Sequence, residues 1–191
     1  MNKQTLIFVI SAPGGTGKNT LTDMLCEEFD SVKRSISFTT RQPRGQEING
    51  VDYFFISKKD FKERIKEKEF LEYAEIYGEY YGTSKLYVAK ILKEKKHAIL
   101  VIDVQGAQKV KKLIPAVFIF LMPPSMEELK RRLCTRNADS EEKINERIKV
   151  AKEELKQAKY YDYVIVNDDL KVAYDTLRSI IIAEENKNRS I

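Results

Sequence analysis

Residues 6 to 20 of this 191-residue chain, Leu-Ile-Phe-Val-Ile-Ser-Ala-Pro-Gly-Gly-Thr-Gly-Lys-Asn-Thr, constrain its fold more than any other stretch. Leu6 to Ile10 is a short, continuous apolar run rich in β-branched residues, which suits a parallel strand covered on both faces. Ser11 to Gly17 is a loop of small residues. From Lys18 onward Leu21, Met24, Leu25 and Phe29 recur at helical spacing on one stripe. Strand, glycine loop, Gly17-Lys18 and helix together make a phosphate-binding P-loop. Glycines let successive backbone N–H groups turn toward an anion, the helix N-terminus adds positive potential, and the lysine reaches the outer phosphates. Against the pattern G-x-x-x-x-G-K-[ST], Ala12 stands at the first glycine position and Asn19 at the hydroxyl position. Ala12 is a small loss provided its φ is negative. Asn19 removes the hydroxyl that commonly touches Mg²⁺; Thr20, one residue on, is placed for the nucleotide phosphates and is not assumed to replace it.

The chain is long enough for one domain with a small insertion and an ample core. Its net charge of +5 suits anionic ligands, but the lysines are spread along helices rather than clustered, so no nucleic-acid surface is expected. Cys26 and Cys134 sit in helical stretches without metal-ligand spacing and read as reduced thiols. With His97 the only histidine, a histidine-based metal site or a Ser-His-Asp triad is not expected. No signal peptide or membrane span is visible, which places the protein in the cytoplasm with no membrane partner.

Along the chain, Ser35 to Arg41 alternates like a strand, Gln42 to Gly50 is a turn-rich loop, and Val51 to Ser57 reads as a second strand. Ser57 caps a helix through Lys68. Phe70 to Thr83 reads as a hairpin, and Ser84 to Lys95 as a helix. An α/β rhythm then resumes: strand Ala98 to Val104, helix Gly106 to Leu113, strand Ala116 to Met122. Ser125 caps a helix to about Arg136, with Glu128 completing a capping box. Asn137 to Ser140 is a polar break, Glu141 to Lys159 a long charged helix, Tyr163 to Val166 the last strand and Leu170 to Glu185 the closing helix. Helices alternating with buried strands imply an α/β fold with a mainly parallel sheet. The core is expected in residues 1–34 and 96–191, with a separate lobe at 35–95.

The segments SAPGGTGKNTL, SFTTRQPRGQEINGVDYFF, EFLEYAEIYGEYYGTS, IDVQGAQ, FLMPPSMEELKRRL and VIVNDDL occur in the order and at spacings similar to guanylate kinases. The resemblance spans nearly the whole chain and implies phosphoryl transfer from ATP to GMP, with Mg²⁺ as cofactor and GMP or its deoxy form as acceptor. It places ATP on Ala12, Pro13, Gly14, Gly15, Thr16, Gly17, Lys18, Asn19 and Thr20, with Asn167 and Asp168 on the adenine side. Arg41 and Arg44, three residues apart in a loop, suit one phosphate by charge-assisted bonds. Taken without the resemblance they read better as solvated arginines, and Tyr53 and Tyr81 as core aromatics with wet tips, the commoner case for a lone tyrosine. In the family the matching residues hold the GMP phosphate.

The resemblance also implies a guanine pocket of Ser37, Glu72, Gly82, Thr83 and Asp103. Carboxylates accept from guanine N1–H and its 2-amino group, whereas adenine would leave them facing a lone pair, a mismatch worth roughly four to five orders of magnitude in discrimination. Asp103, an acid inside AILVIDV, is costly there unless it serves a ligand or partner. Arg132, Arg136 and Arg147 match a short lid at about 132–147 that brings arginines to the transferring phosphoryl. Together with Lys18 and Arg41 they are the expected catalytic groups. Val101 departs from the family pattern, which often has a second acid there, and leaves the metal's ligands unknown. The rival reading is a non-catalytic guanylate-kinase-like binding module, which need keep neither Gly17-Lys18 nor the lid arginines.

Overall fold

The computed structural model describes residues 5–136 and 141–188. Its first half runs β1 (Ile7–Ser11), α1 (Lys18–Glu28), β2 (Val32–Arg34), β3 (Phe38–Thr39), β4 (Phe54–Phe55), α2 (Lys58–Lys66), β5 (Phe70–Ile76), β6 (Glu79–Ser84) and α3 (Lys85–Lys93). The second half runs β7 (His97–Ile102), α4 (Val104–Leu113), β8 (Val117–Met122), α5 (Met126–Arg136), α6 (Glu141–Leu155), β9 (Tyr163–Val166) and α7 (Leu170–Asn186).

Strands β2-β7-β1-β8-β9 form a sheet in that order, every pairing parallel. Alternation along β1 explains why it is apolar throughout. Phe8 and Ile10 pack with Leu21 and Leu25 of α1 and Leu177 and Ile181 of α7. Val9 faces the other way, onto Val88 and Ile91 of α3 and Ala107 and Val110 of α4. Phe8, Val9 and Ile10 are fully buried, each contributing about 1.5–3 kcal/mol by burial. This rigid strand carries the P-loop on its C-terminal end, where open α/β sheets bind ligands.

Residues 38–84 build a second sheet, β4-β3-β6-β5, in which β3 and β4 are parallel and the other pairs antiparallel. Its own packing is aromatic: Phe61 of α2 stacks on Phe70 at 4.4 Å and on Tyr80 at 5.3 Å between ring centroids. Gly82 is required here, because a Cβ would lie 2.9 Å from both Phe61 and Phe70. α3 returns to the parallel core.

Several elements differ from the sequence reading. Val32–Arg34 is a core strand rather than a connection; three residues are too few to show periodicity, and its place comes from pairing with β7. The expected strands 35–41 and 51–57 shrink to Phe38–Thr39 and Phe54–Phe55. Asp103 lies outside β7 and caps α4, its carboxylate accepting from the Gly106 N–H at 2.7 Å. Ser125 does accept from the Glu128 N–H at 3.1 Å, but the Glu128 carboxylate engages Arg131 and Arg132 instead of closing a capping box. The long charged helix stops at Leu155, and a 3₁₀ turn at Ala158–Tyr160 brings Tyr161 onto Phe120, 4.9 Å between centroids. The polar break at 137–140 lies outside the described residues.

Candidate active site

Gly17, the N-cap of α1, has φ +94°. A Cβ at this position would sit 2.6 Å from Asn167 Nδ2, so glycine is needed both for the backbone and for the neighbour. Ala12 has no positive φ, so its side chain is tolerated as expected. α1 has no capping side chain and no acid in its first turn, which leaves its N-terminal amides suited to an anion. Lys18 Nζ folds over the loop to Ala12 O at 2.6 Å and Pro13 O at 3.3 Å. Thr16 Oγ1 donates to Pro13 O at 2.8 Å, and Asn167 Nδ2 donates to Thr16 O at 2.7 Å. Asn19 and Thr20 are exposed at the head of α1.

Beside this loop lies a cavity of about 300 Å³ lined by Gly15, Gly17, Thr20, Arg132, Asn167 and Asp168, among others. Arg132 spans it, donating through Nη1 to Asn167 O at 3.1 Å and through Nε to Glu128 at 2.7 Å. Arg147 lies across the loop, with Nη2 3.1 Å from where a Gly14 Cβ would stand. Arg136 ends α5; its side chain, like residues 137–140, lies outside the described residues. Glu154, two turns beyond Arg147 on α6, faces Lys18 and Asp103, and burial pushes its carboxyl up to about 7. The sequence hid Glu154 inside a charged helix that reads as solvated surface.

A second group of side chains comes from β5, β6 and the N-cap of α4. A bulge after Phe70 re-aims β5 so that Glu72 pairs directly with Thr83. Thr83 Oγ1 donates to Glu72 Oε1 at 2.6 Å, and Glu72 is only 6% exposed. The Glu72 and Asp103 carboxylates both crowd the Cα of Gly106, where a Cβ would meet Glu72 Oε2 at 2.6 Å and Asp103 Oδ1 at 3.0 Å. Burial raises both carboxyls, Glu72 to about 7 with Asp103 adding to the rise; Lys18 and Lys109 partly offset it for Asp103. A buried and a half-buried acid set side by side mark a place where donors are expected to arrive. Ser37 precedes β3, its carbonyl accepting from the Phe54 N–H at 2.9 Å.

Arg41 lies 5.0 Å above the Tyr53 ring, and Tyr53 meets Tyr81 edge-on at 6.1 Å. Burial pushes the Tyr53 hydroxyl up, which keeps it a donor. Arg44 is exposed on the same loop. Arg41, Tyr53 and Tyr81 thus come together with Arg44 on the same loop, Arg132 and Arg147 lie separately beside the P-loop, and Gly82 turns its Cα side into the aromatic packing. Glu47, which the sequence reading left out, binds Arg41; its only signal was its position in the same loop.

A phosphate loop at the C-terminal end of a parallel sheet, arginines beside it, and a second sheet that presents a buried carboxylate and carries a guanidinium in its adjoining loop define a P-loop kinase acting on a small phosphorylated acceptor. The family model for guanylate kinase matches residues 4–184, and the chain belongs to the guanylate kinase family. It is 50% identical to the guanylate kinase of Protochlamydia amoebophila over 97% of this chain and 94% of that one. It is also 50% identical to that of Caldanaerobacter subterraneus, over 97% and 90%. The crystal structure of guanylate kinase from Anaplasma phagocytophilum superposes with a TM-score of 0.82 at 34% identity, covering 98% of this chain and 89% of that one.

Proposed function

We infer that the protein transfers the γ-phosphoryl group of ATP to GMP, yielding ADP and GDP. The observation that carries this reading is the pair of a buried Glu72 and a half-buried Asp103, both carboxylates set against Gly106, with Asp103 also within electrostatic reach of the P-loop lysine. Ionised carboxylates there complement guanine N1–H and 2-amino donors, and Thr83 with Ser37 supplies hydroxyls. Residues 1–34 and 96–191 act as the core, 35–95 as the acceptor lobe and 132–147 as the lid; α3 belongs structurally with the core, since Val88 and Ile91 pack beneath Val9.

In this assignment the amides of Gly14 to Lys18 and the Lys18 ammonium hold the ATP phosphates, with Asn19 and Thr20 at the helix head. The base occupies the cavity beside Asn167 and Asp168. Arg41, Arg44, Tyr53 and Tyr81 hold the acceptor phosphate in line, and Arg132, Arg136 and Arg147 neutralise charge on the transferring group. No general base is needed when the acceptor phosphate is already ionised. Among the described residues no three His, Cys, Asp or Glu side chains gather as a metal cage. That fits Mg²⁺ held mainly by substrate phosphates and water. The Asn19 amide oxygen at the helix head is the protein's candidate ligand, and the ion would supply charge neutralisation at the phosphates.

No helix among the described residues is long and apolar enough to cross a membrane, and the reaction's substrates are those of the cytoplasm. A binding module without catalysis is disfavoured because the Gly17-Lys18 loop, the cavity and the arginines beside them are all kept. ADP production with ATP and Mg²⁺ is expected with GMP and not with AMP, CMP or UMP. Measurable GMP binding without turnover would return the binding module.

A further inference from the structure

Arg41 owes its orientation to its own loop. Arg44 to Glu47 forms a turn closed by the Glu47 N–H donating to Arg44 O at 3.1 Å, and Gly45 supplies the φ of +55° that the turn requires. The turn folds the Glu47 carboxylate back onto both arginines. Glu47 Oε2 accepts from Arg41 Nη1 at 2.6 Å and from the Arg44 N–H at 2.8 Å, while Oε1 accepts from Arg41 Nη2 at 2.7 Å. The other Nη1 hydrogen goes to Gln42 O at 2.9 Å.

A guanidinium has five N–H donors in a plane. Three of those on Arg41 are now placed, and the Nε–H and one Nη2–H remain. These two are parallel and project from one edge, forming a second fork of the kind that grips a phosphate through two oxygens. Tyr53 at 5.0 Å and Phe55 at 5.7 Å fix the plane of the group by stacking, and Glu47 fixes its rotation within that plane. The ion pair is largely shielded, with side-chain exposures of 9% for Arg41 and 23% for Glu47.

We propose that Glu47 is a positioning residue for the acceptor phosphate: it occupies one bidentate edge of Arg41 and ties down the Arg44 backbone, so that the second edge of Arg41 meets the phosphate. Displacement of Glu47 by the phosphate is the competing arrangement. It would strip both carboxylate oxygens of their donors and leave a shielded charge unpaired, while the second edge already offers the phosphate a seat. Glu47 also cancels one positive charge of the loop, which lowers its affinity for anions that do not match the fork.

The proposal rests on Arg41 serving the phosphate of GMP. Glu47→Gln keeps the shape and removes the charge and one bidentate partner. The expected result is a KM for GMP raised about 10- to 30-fold, with kcat within about threefold and the KM for ATP unchanged. Inhibition by guanosine, which carries the base and no phosphate, is expected to be unaffected. A KM for GMP that falls would establish displacement, and one that stays the same would remove any role; either overturns the proposal. Equal weakening of GMP and guanosine would reduce Glu47 to support of the lobe. If the wild-type protein fails to phosphorylate GMP, the function proposed above fails; calorimetric titration of wild type and variant with GMP and guanosine then still decides the role of Glu47.

Discussion

Glu72 offers the sharpest link between burial and specificity. Its carboxyl, ordinarily near 4.5, is raised to about 7 by burial, with the neighbouring Asp103 adding to the rise. Guanine's donors need the ionised form, so proton and substrate compete for one site. For such competition the apparent Kd for GMP scales as one plus the ratio of protonated to ionised Glu72, a rise of about tenfold from about pH 8 to about pH 6. The sign for stability follows from the same shift. The folded state binds the proton more tightly than the unfolded one between about 4.5 and about 7, so this group's stabilising proton is fully present below that window and is lost as pH rises through it. At about pH 8 the ionised carboxylate therefore costs the ligand-free protein about 3 kcal/mol, an order-of-magnitude figure. Glu72→Gln is expected to raise the melting temperature of the ligand-free protein at that pH while weakening GMP binding by one to two orders of magnitude or more. The assay is calorimetric GMP titration across pH for both proteins. The GMP phosphate also titrates near pH 6, but equally in both arms. Parallel profiles for wild type and Glu72→Gln would refute the reasoning.

Lys18→Ala is expected to lose most of kcat with GMP binding largely kept, since Lys18 belongs to the P-loop and touches Ala12 and Pro13 rather than the aromatic lobe; near-normal turnover contradicts the assignment. Gly17→Ala forces a side chain into a φ of +94° and against Asn167, so a loss of about 1–3 kcal/mol in thermal stability and a raised KM for ATP are expected together. Val101→Asp restores the acid that the family often carries and is expected to lower the apparent Mg²⁺ constant in turnover assays. Because Val101 packs against the core around Phe8, a lower melting temperature should accompany it. An unchanged metal constant would sink that expectation.

What could be read from residues alone tracked how local each signal was. β1, the P-loop and α1 were legible because strand, glycines and helix stripe sit within about twenty residues and each element is dictated by its own side chains. The hairpin from Phe70 and the cap at Ser57 were legible for the same reason, the serine accepting from the N–H three residues on. β2 was not, since Val32–Arg34 is a strand only by virtue of its partner β7. Asp103 looked like a charge inside a strand because a capping residue that directly follows an apolar run carries no mark of where the run ends. Glu47 and Glu154 were lost among ordinary polar surroundings. Their meaning depends on a turn and on a helix face respectively, and charge composition shows neither.

The hydrogen bond from Asn167 to Thr16 joins residues 151 positions apart in sequence. On the ribosome, at about 5–20 residues per second, the phosphate loop is therefore complete for roughly 8–30 s before the residue that braces it has been made. Arg132 and Arg147, which flank the loop, also arrive late. A nascent chain thus presents a recognisable nucleotide motif well before it presents a nucleotide site. Ligand-assisted folding by ATP is confined to the last stage of synthesis, and chains cut short before β9 should gain no thermal protection from the nucleotide.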